Sequence, residues 1–279
     1  MQKNENSNMN EKMCKTIHEA NVWIHRIEAK HYGLIHSEIF NTTEQKRINS
    51  ILTKIDTLIQ NNQKKALDFG AGTGNLTGKL LRMGYHVTAI DISQKMCEIL
   101  KHRFKKFINQ NRLQVIQSKV EDIKFDKEEF DLITCYSVLH HLPDYLNAII
   151  NMGFFLRKGG IIYLDHEQSP YFWNENRTRV SRIYALSNYY LNRFTKILYF
   201  RLWKIDNSYY SLDYSMSDYW TTKKRHIDHK KIEQIFIEAG YNHFFRKDFY
   251  IKRSRFFNPF FLVYKITQKP DMSLWIAKK

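Results

Sequence analysis

The stretch ALDFGAGTGNLTGKL at residues 66–80 constrains this chain more than any other. A short apolar run leads into Asp68, and Gly70, Gly72 and Gly74 follow at alternate positions. Glycine loses the most backbone freedom on folding, so it is placed where φ must be positive or where a ligand must approach the main chain. Three glycines in five positions, after a strand and before helical spacing, predict a strand–loop–helix unit whose loop wraps a ligand.

The sequence continues that alternation. Strands are expected at 64–69, 85–91, 113–117, 130–135 and 161–165, and closing strands at 241–251 and 274–278. Helices are expected at 44–60, where Thr42 and Gln45 have capping-box spacing, and at 75–83. A further helix follows Ser93 as far as Ile108, and others lie at 144–157 and 228–239, with a turn at Lys158-Gly159-Gly160. Strands alternating with helices give a mostly parallel sheet covered on both faces. No run of 18 apolar residues exists, and the Asn-rich start reads as a polar tail over residues 1–10. Three scattered cysteines, Cys14, Cys97 and Cys135, fit reduced thiols in a cytoplasmic chain and neither a disulfide framework nor a zinc site.

Two phosphate-binding patterns fail on the glycine loop. A GxxxxGK[ST] loop would need Gly where Thr73 stands and a hydroxyl where Leu80 stands; a GxGxxG fingerprint would need Gly at Asn75. Asp68-Phe69-Gly70-Ala71-Gly72-Thr73-Gly74 instead resembles the first motif, D/E-x-G-x-G-x-G, of the class I methyltransferases that use S-adenosylmethionine (SAM). Asp91 matches the family's ribose-binding acid, 21 residues beyond Gly70. FDLITCYSVLHHLPD at 130–144 is similar to its fourth strand and following helix, and LRKGGIIYLD at 156–165 to its turn and fifth strand. The resemblance implies a Rossmann-like α/β fold with an antiparallel last strand, and SAM as cofactor. It implies cofactor contacts from Tyr32, His36, Asp68, Gly70, Ala71, Gly72, Asp91, Ile92, Val120, Glu121 and Tyr136. One position departs from the pattern: Lys119 stands where relatives often place an Asp that accepts from adenine, and Lys cannot accept.

Methyl transfer is a displacement at an already activated carbon, so the protein mainly aligns the acceptor and excludes water. A hydroxyl acceptor benefits from a base. Ligands lie beyond the carboxyl ends of parallel strands, which makes His166, Glu167 and His140 the catalytic candidates, with Glu167 orienting His166. HIDH at 226–229 has metal-like spacing but no third ligand near it in sequence, so no metal is expected.

Composition shifts near Pro170. Residues 170–279 hold 21 Lys/Arg against 9 Asp/Glu, and 27 of the 41 aromatics. The division expected is an N-terminal helical segment at 11–63 over the cofactor, a SAM-binding core at 64–168, a basic aromatic helical cap at 169–225, and closing elements at 226–279. The reading is a methyltransferase acting on O or N, or on C, of a small molecule. The alternatives are a tRNA or rRNA methyltransferase, or a non-catalytic SAM-binding or partner-binding protein. The basic cap suits an anionic substrate or membrane surface, and nucleic acid less well for want of a separate RNA-binding module.

Overall fold

The computed structural model describes residues 16–60, 63–172, 183, 187, 215–222, 226–241, 243–253 and 260–279. The expected tail at 1–10 and most of the cap at 169–225 lie outside these residues.

Seven strands form one sheet: β1 (Lys65–Phe69), β2 (His86–Asp91), β3 (Leu113–Gln117), β4 (Phe130–Tyr136), β5 (Leu156–Gln168), β6 (His243–Phe249) and β7 (Met272–Lys278). Their order is β3-β2-β1-β4-β5-β7-β6. The first five pair in parallel, and β7 runs antiparallel to both β5 and β6. Every residue of β4 is buried, as its nearly unbroken apolar run FDLITCY requires of a strand covered on both faces. Its one charge, Asp131, accepts from the Lys65 backbone amide at 2.8 Å and pairs with Arg157 at 3.1 Å.

The helices described here are α1 (16–28), α2 (Thr42–Leu58), α3 (Asn75–Arg82), α4 (Gln94–Arg103), α5 (Tyr145–Phe155), α6 (His229–Glu238) and α7 (Phe260–Thr267). Ile48, Leu52 and Ile55 of α2, with Leu76, Leu80 and Leu81 of α3, pack on one sheet face. Ile149 and Met152 of α5, with Ile232 and Phe236 of α6, pack on the other. The expected α/β fold with an antiparallel closing strand is therefore present. Among the described residues no helix is long and apolar enough to cross a membrane.

Several local expectations change. The cap of α2 is Asn41, whose side chain accepts from the Glu44 amide at 3.0 Å, while the Gln45 side chain turns back to the Ile39 carbonyl. The helix expected to run to Ile108 breaks at Phe104, whose ring packs where a Cβ on Gly74 or Gly78 would sit. Residues 158–160 are absorbed into β5, which begins at Leu156. His140 and His141 lie on a short 3-10 turn, Leu139–His141, that precedes α5. At 226–229, Asp228 caps α6, and both flanking histidines turn Nδ1 to the Ile227 carbonyl. That spacing marks a helix start.

The strand order reverses beside β1: the chain moves outward through β2 and β3, then returns to place β4 on the other side. Connections diverge at that point and leave a crevice at the carboxyl ends of β1 and β4.

Candidate active site

The glycine loop sits in that crevice. Gly70, Gly72 and Gly74 have φ of +72°, +53° and +88°, and the Ala71 amide donates to the Ile90 carbonyl at 2.8 Å, tying the loop to β2. A Cβ on Gly70 would lie 2.4 Å from Val138 Cγ2, so that glycine is demanded by packing. A Cβ on Gly72 would meet no atom within 4 Å. The loop therefore leaves a cradle in front of Gly72 that no described residue fills.

Asp68 lies beneath the loop. Its carboxylate accepts from Thr77 Oγ1 at 2.5 Å and Thr134 Oγ1 at 2.9 Å, and burial pushes its pKa up to about 6. Asp91, ending β2, accepts from the Gly72 amide through Oδ2 and from the Ser93 amide through Oδ1, each at 2.8 Å. Burial raises its pKa. The carboxylate thus locks the loop from β2 while lining a cleft.

Tyr32, Gly70, Gly72, Asp91, Ile92, Val120, Glu121 and Tyr136 line this cleft, as does Lys119. Asp68, Ala71 and His36 do not. The sequence reading missed one wall: His18, Asn21 and His25 of α1 also line it. Their i, i+3, i+7 spacing puts three polar side chains on one helical face, a pattern legible in the sequence. Asn21 Oδ1 and Glu121 Oε2 are buried there with no hydrogen-bond partner among the described residues. Glu121 is held by its other oxygen, 3.2 Å from His18 Nε2.

A second chamber shares His25, Tyr32, Ser137 and His141 with the first. His36, His140 and His166 line it. His36 bridges Glu28 and Glu38, each at 3.1 Å. Burial alone would lower its pKa, but the two carboxylates outweigh burial and raise it to about 10.

The expected His166–Glu167 pair is parted. Successive residues of a strand point to opposite faces, and Glu167 turns away into the core. One of its oxygens accepts from the Val138 and Leu139 amides at 3.0 and 2.9 Å, and the other accepts from His140 Nδ1 at 2.8 Å. Burial would lower the pKa of His140, and Glu167 raises it above its ordinary value. His166 instead stacks on Tyr136 and contacts Ser137 Oγ through Nδ1 at 3.3 Å. Its Nε2 is buried without a partner among the described residues, and burial lowers its pKa to about 4. His166 and Ser137 both adopt left-handed backbone, at φ +63° and +58°. Such strain persists only where the surroundings impose it, and here it shapes the junction of the two chambers.

A further buried network went unread in the sequence. Arg47 pairs with Glu44 and with Asp165 at 2.7 Å, and Glu44 accepts from Tyr136 OH at 2.8 Å. It ties α2 to the ends of β4 and β5.

The reversal beside β1, the glycine cradle and the acid ending β2 together define the class I, Rossmann-like methyltransferase fold. The sequence family described as methyltransferase domain matches residues 67–164 of this chain. The resemblance carried by the motifs is thereby borne out, and SAM is the cofactor of this class. The ubiquinone biosynthesis O-methyltransferase of Haemophilus ducreyi is 33% identical over 123 residues, covering 42% of this chain and 50% of that protein. That of Vibrio parahaemolyticus is 31% identical over 118 residues, covering 42% and 48%. The chain spans about half the length of the curated relatives it matches. Among solved structures, phosphoethanolamine N-methyltransferase 2 of Haemonchus contortus with SAM superposes with a TM-score of 0.58 at 14% identity, over 92% of this chain and 56% of that one. The citrinin polyketide synthase CMeT domain superposes at 0.53 and 15% identity, over 85% and 52%. Both are likenesses of fold.

Proposed function

We propose that this chain is a SAM-dependent methyltransferase acting on an oxygen of a small molecule. The observation that carries the proposal is the cleft over Gly72 and Asp91, opening through Ser137 and His141 into a second chamber whose wall holds an imidazole paired with a carboxylate. The cleft fits the cofactor by its own features: an unfilled cradle at Gly72, a carboxylate at a strand end, and unpartnered buried acceptors. Asp91 would accept from the ribose hydroxyls, and Glu121 Oε2 would accept from the adenine amine in place of the acid that Lys119 replaces. Bound SAM supplies a methyl group already activated on a sulfonium.

This chain's residues then have to seat the acceptor and remove a proton. His140 fits that task because Glu167, which only accepts, fixes the proton on Nδ1 and leaves the lone pair of the neutral ring on Nε2. His166, neutral at physiological pH, is suited to hold the acceptor by hydrogen bonding and poorly suited to be its base. A proton that must leave before or during attack distinguishes a hydroxyl from a free amine, so the dyad favours oxygen over the nitrogen alternative. The relatives named O-methyltransferases support the same choice. A small acceptor is favoured over tRNA or rRNA because the chamber is bounded by side chains on several elements.

We further propose a cytoplasmic protein in which α1 and the segment around Tyr32 cover the cofactor, the core spans 64–168, and 169–225 is the cap. Calorimetry with SAM, followed by release of S-adenosylhomocysteine across a panel of small phenols, alcohols and amines, tests the reading. SAM binding with turnover of hydroxylated acceptors supports it. Failure to bind SAM overturns it, and binding without turnover of any acceptor favours the non-catalytic alternative.

A further inference from the structure

We propose that His140, His141 and Asp218 form a binding site for one divalent transition-metal ion of the zinc type. One ligand atom from each of the three lies within 4.8 Å of the other two. All three residues line the second chamber. A tetrahedral ion with bonds of about 2.0–2.2 Å sets its ligand atoms roughly 3.3–3.6 Å apart, so the three side chains have to draw together to take one. Each of the three is only partly buried, so small side-chain rotations suffice.

Both imidazoles are already held in the way metal-binding histidines usually are. The Glu167 carboxylate accepts from His140 Nδ1 at 2.8 Å, and the Ser217 carbonyl accepts from His141 Nδ1 at 2.9 Å. A carbonyl or carboxylate oxygen cannot donate, so the protons sit on Nδ1 and the lone pairs across each ring on Nε2. Outer partners of this kind fix the tautomer and ring orientation and strengthen the ligand. The two rings pack with centroids 4.0 Å apart; Asp218 Oδ1 lies 3.2 Å from His141 Nδ1, the protonated edge of that ring, so the carboxylate has to turn towards the Nε2 edge to share an ion. Two imidazoles and a carboxylate suit zinc, cobalt, nickel or ferrous iron, whereas magnesium and calcium take oxygen ligands. Three protein ligands leave a coordination position free towards the chamber.

This site shares His140 and the second chamber with the methyl-transfer reading, but ion binding needs neither cofactor nor acceptor. Where both hold, an ion on His140 withdraws that lone pair from proton transfer, so metal loading and base catalysis compete.

The test uses the full chain, stripped with a chelator, titrated with Zn²⁺ alone by calorimetry and with Co²⁺ alone by visible absorption. The expected result is one ion per chain and the strong ligand-field bands of four-coordinate cobalt. His141→Ala and Asp218→Asn should each weaken zinc at least tenfold. Glu167→Gln should weaken it roughly 10–100-fold, the usual effect of losing an outer-shell partner. His226→Ala, at the other histidine pair, should change nothing. Circular dichroism reports folding, and the isosteric Asp218→Asn keeps the test decisive if His141→Ala does not fold. Absence of saturable zinc binding to the unmutated chain, or equal binding by the folded variants, overturns the site.

Discussion

Replacing Asp91 tests the cofactor cleft most directly, and the structure changes what a conservative replacement should do. Asp91→Ala removes both acceptors offered to the ribose; hydrogen bonds to a charged group contribute about 1.5–3 kcal/mol each, so roughly 3–6 kcal/mol is lost, or about 10²–10⁴-fold in affinity. From sequence alone Asp91→Asn looks milder, since an amide oxygen still accepts. In the structure both carboxylate oxygens already face backbone donors, Gly72 N–H through Oδ2 and Ser93 N–H through Oδ1. Whichever way the amide turns, its NH₂ group meets one of those donors. An unsatisfied buried donor costs about 1–3 kcal/mol, and the charge on the remaining bonds is lost as well. Asn should therefore weaken SAM to within about tenfold of Ala, by the same magnitudes. Titration calorimetry with SAM, alongside urea unfolding, measures both effects. A folded Asp91→Ala variant with nearly unchanged affinity would show that Asp91 does not hold the ribose. Near-normal affinity in Asp91→Asn would refute the argument from the two amides.

Other substitutions separate fold from chemistry. Gly70→Ala should chiefly destabilise the fold, because its Cβ would press on Val138, whereas Gly72→Val should leave a folded chain, strained by roughly 1–3 kcal/mol, that no longer binds SAM; denaturation and calorimetry on the two variants should give opposite patterns. Glu167→Gln keeps an acceptor for the Val138 and Leu139 amides but turns an NH₂ towards His140, moving the lone pair to Nδ1. Methyl transfer should fall by roughly 10²–10⁴ with SAM affinity retained. The pH–rate profile, whose rising limb should lie above the ordinary histidine range in the unmutated enzyme, should move down; an unmoved profile would remove His140 from the base role. The Glu28–His36–Glu38 clamp should stabilise the chain fully below about pH 6.5, the ordinary histidine value, and lose that contribution as pH rises through about 10, because the folded pKa of His36 is raised. Glu38, lowered to about 2, should lose its contribution as pH falls from about 4.5 through that value. His36→Gln should flatten urea midpoints between pH 6.5 and 10, and an unchanged slope there would count against the clamp.

Much of the fold is local and so was legible. The apolar runs of β1, β2 and β4 follow from burial on both faces and the spacing of Ile48, Leu52 and Ile55 from burial of one helical face, and the glycines at 70–74 declare a positive-φ loop without any knowledge of neighbours. The spacing to Asp91 placed an acid at the end of β2, because a strand–loop–helix unit has a fairly fixed length. What the sequence by itself could not determine are choices made by distant partners. Asn41 and not Thr42 caps α2, since only the packed geometry decides which side chain reaches the Glu44 amide. Glu167 neighbours His166 in sequence yet belongs to His140, 27 residues away, because a strand sends adjacent side chains to opposite faces and the turn after β4 brings two amides and an imidazole to one carboxylate. His141 finds Asp218 across 77 residues for the same reason: the sheet's carboxyl edge gathers segments that no spacing rule connects.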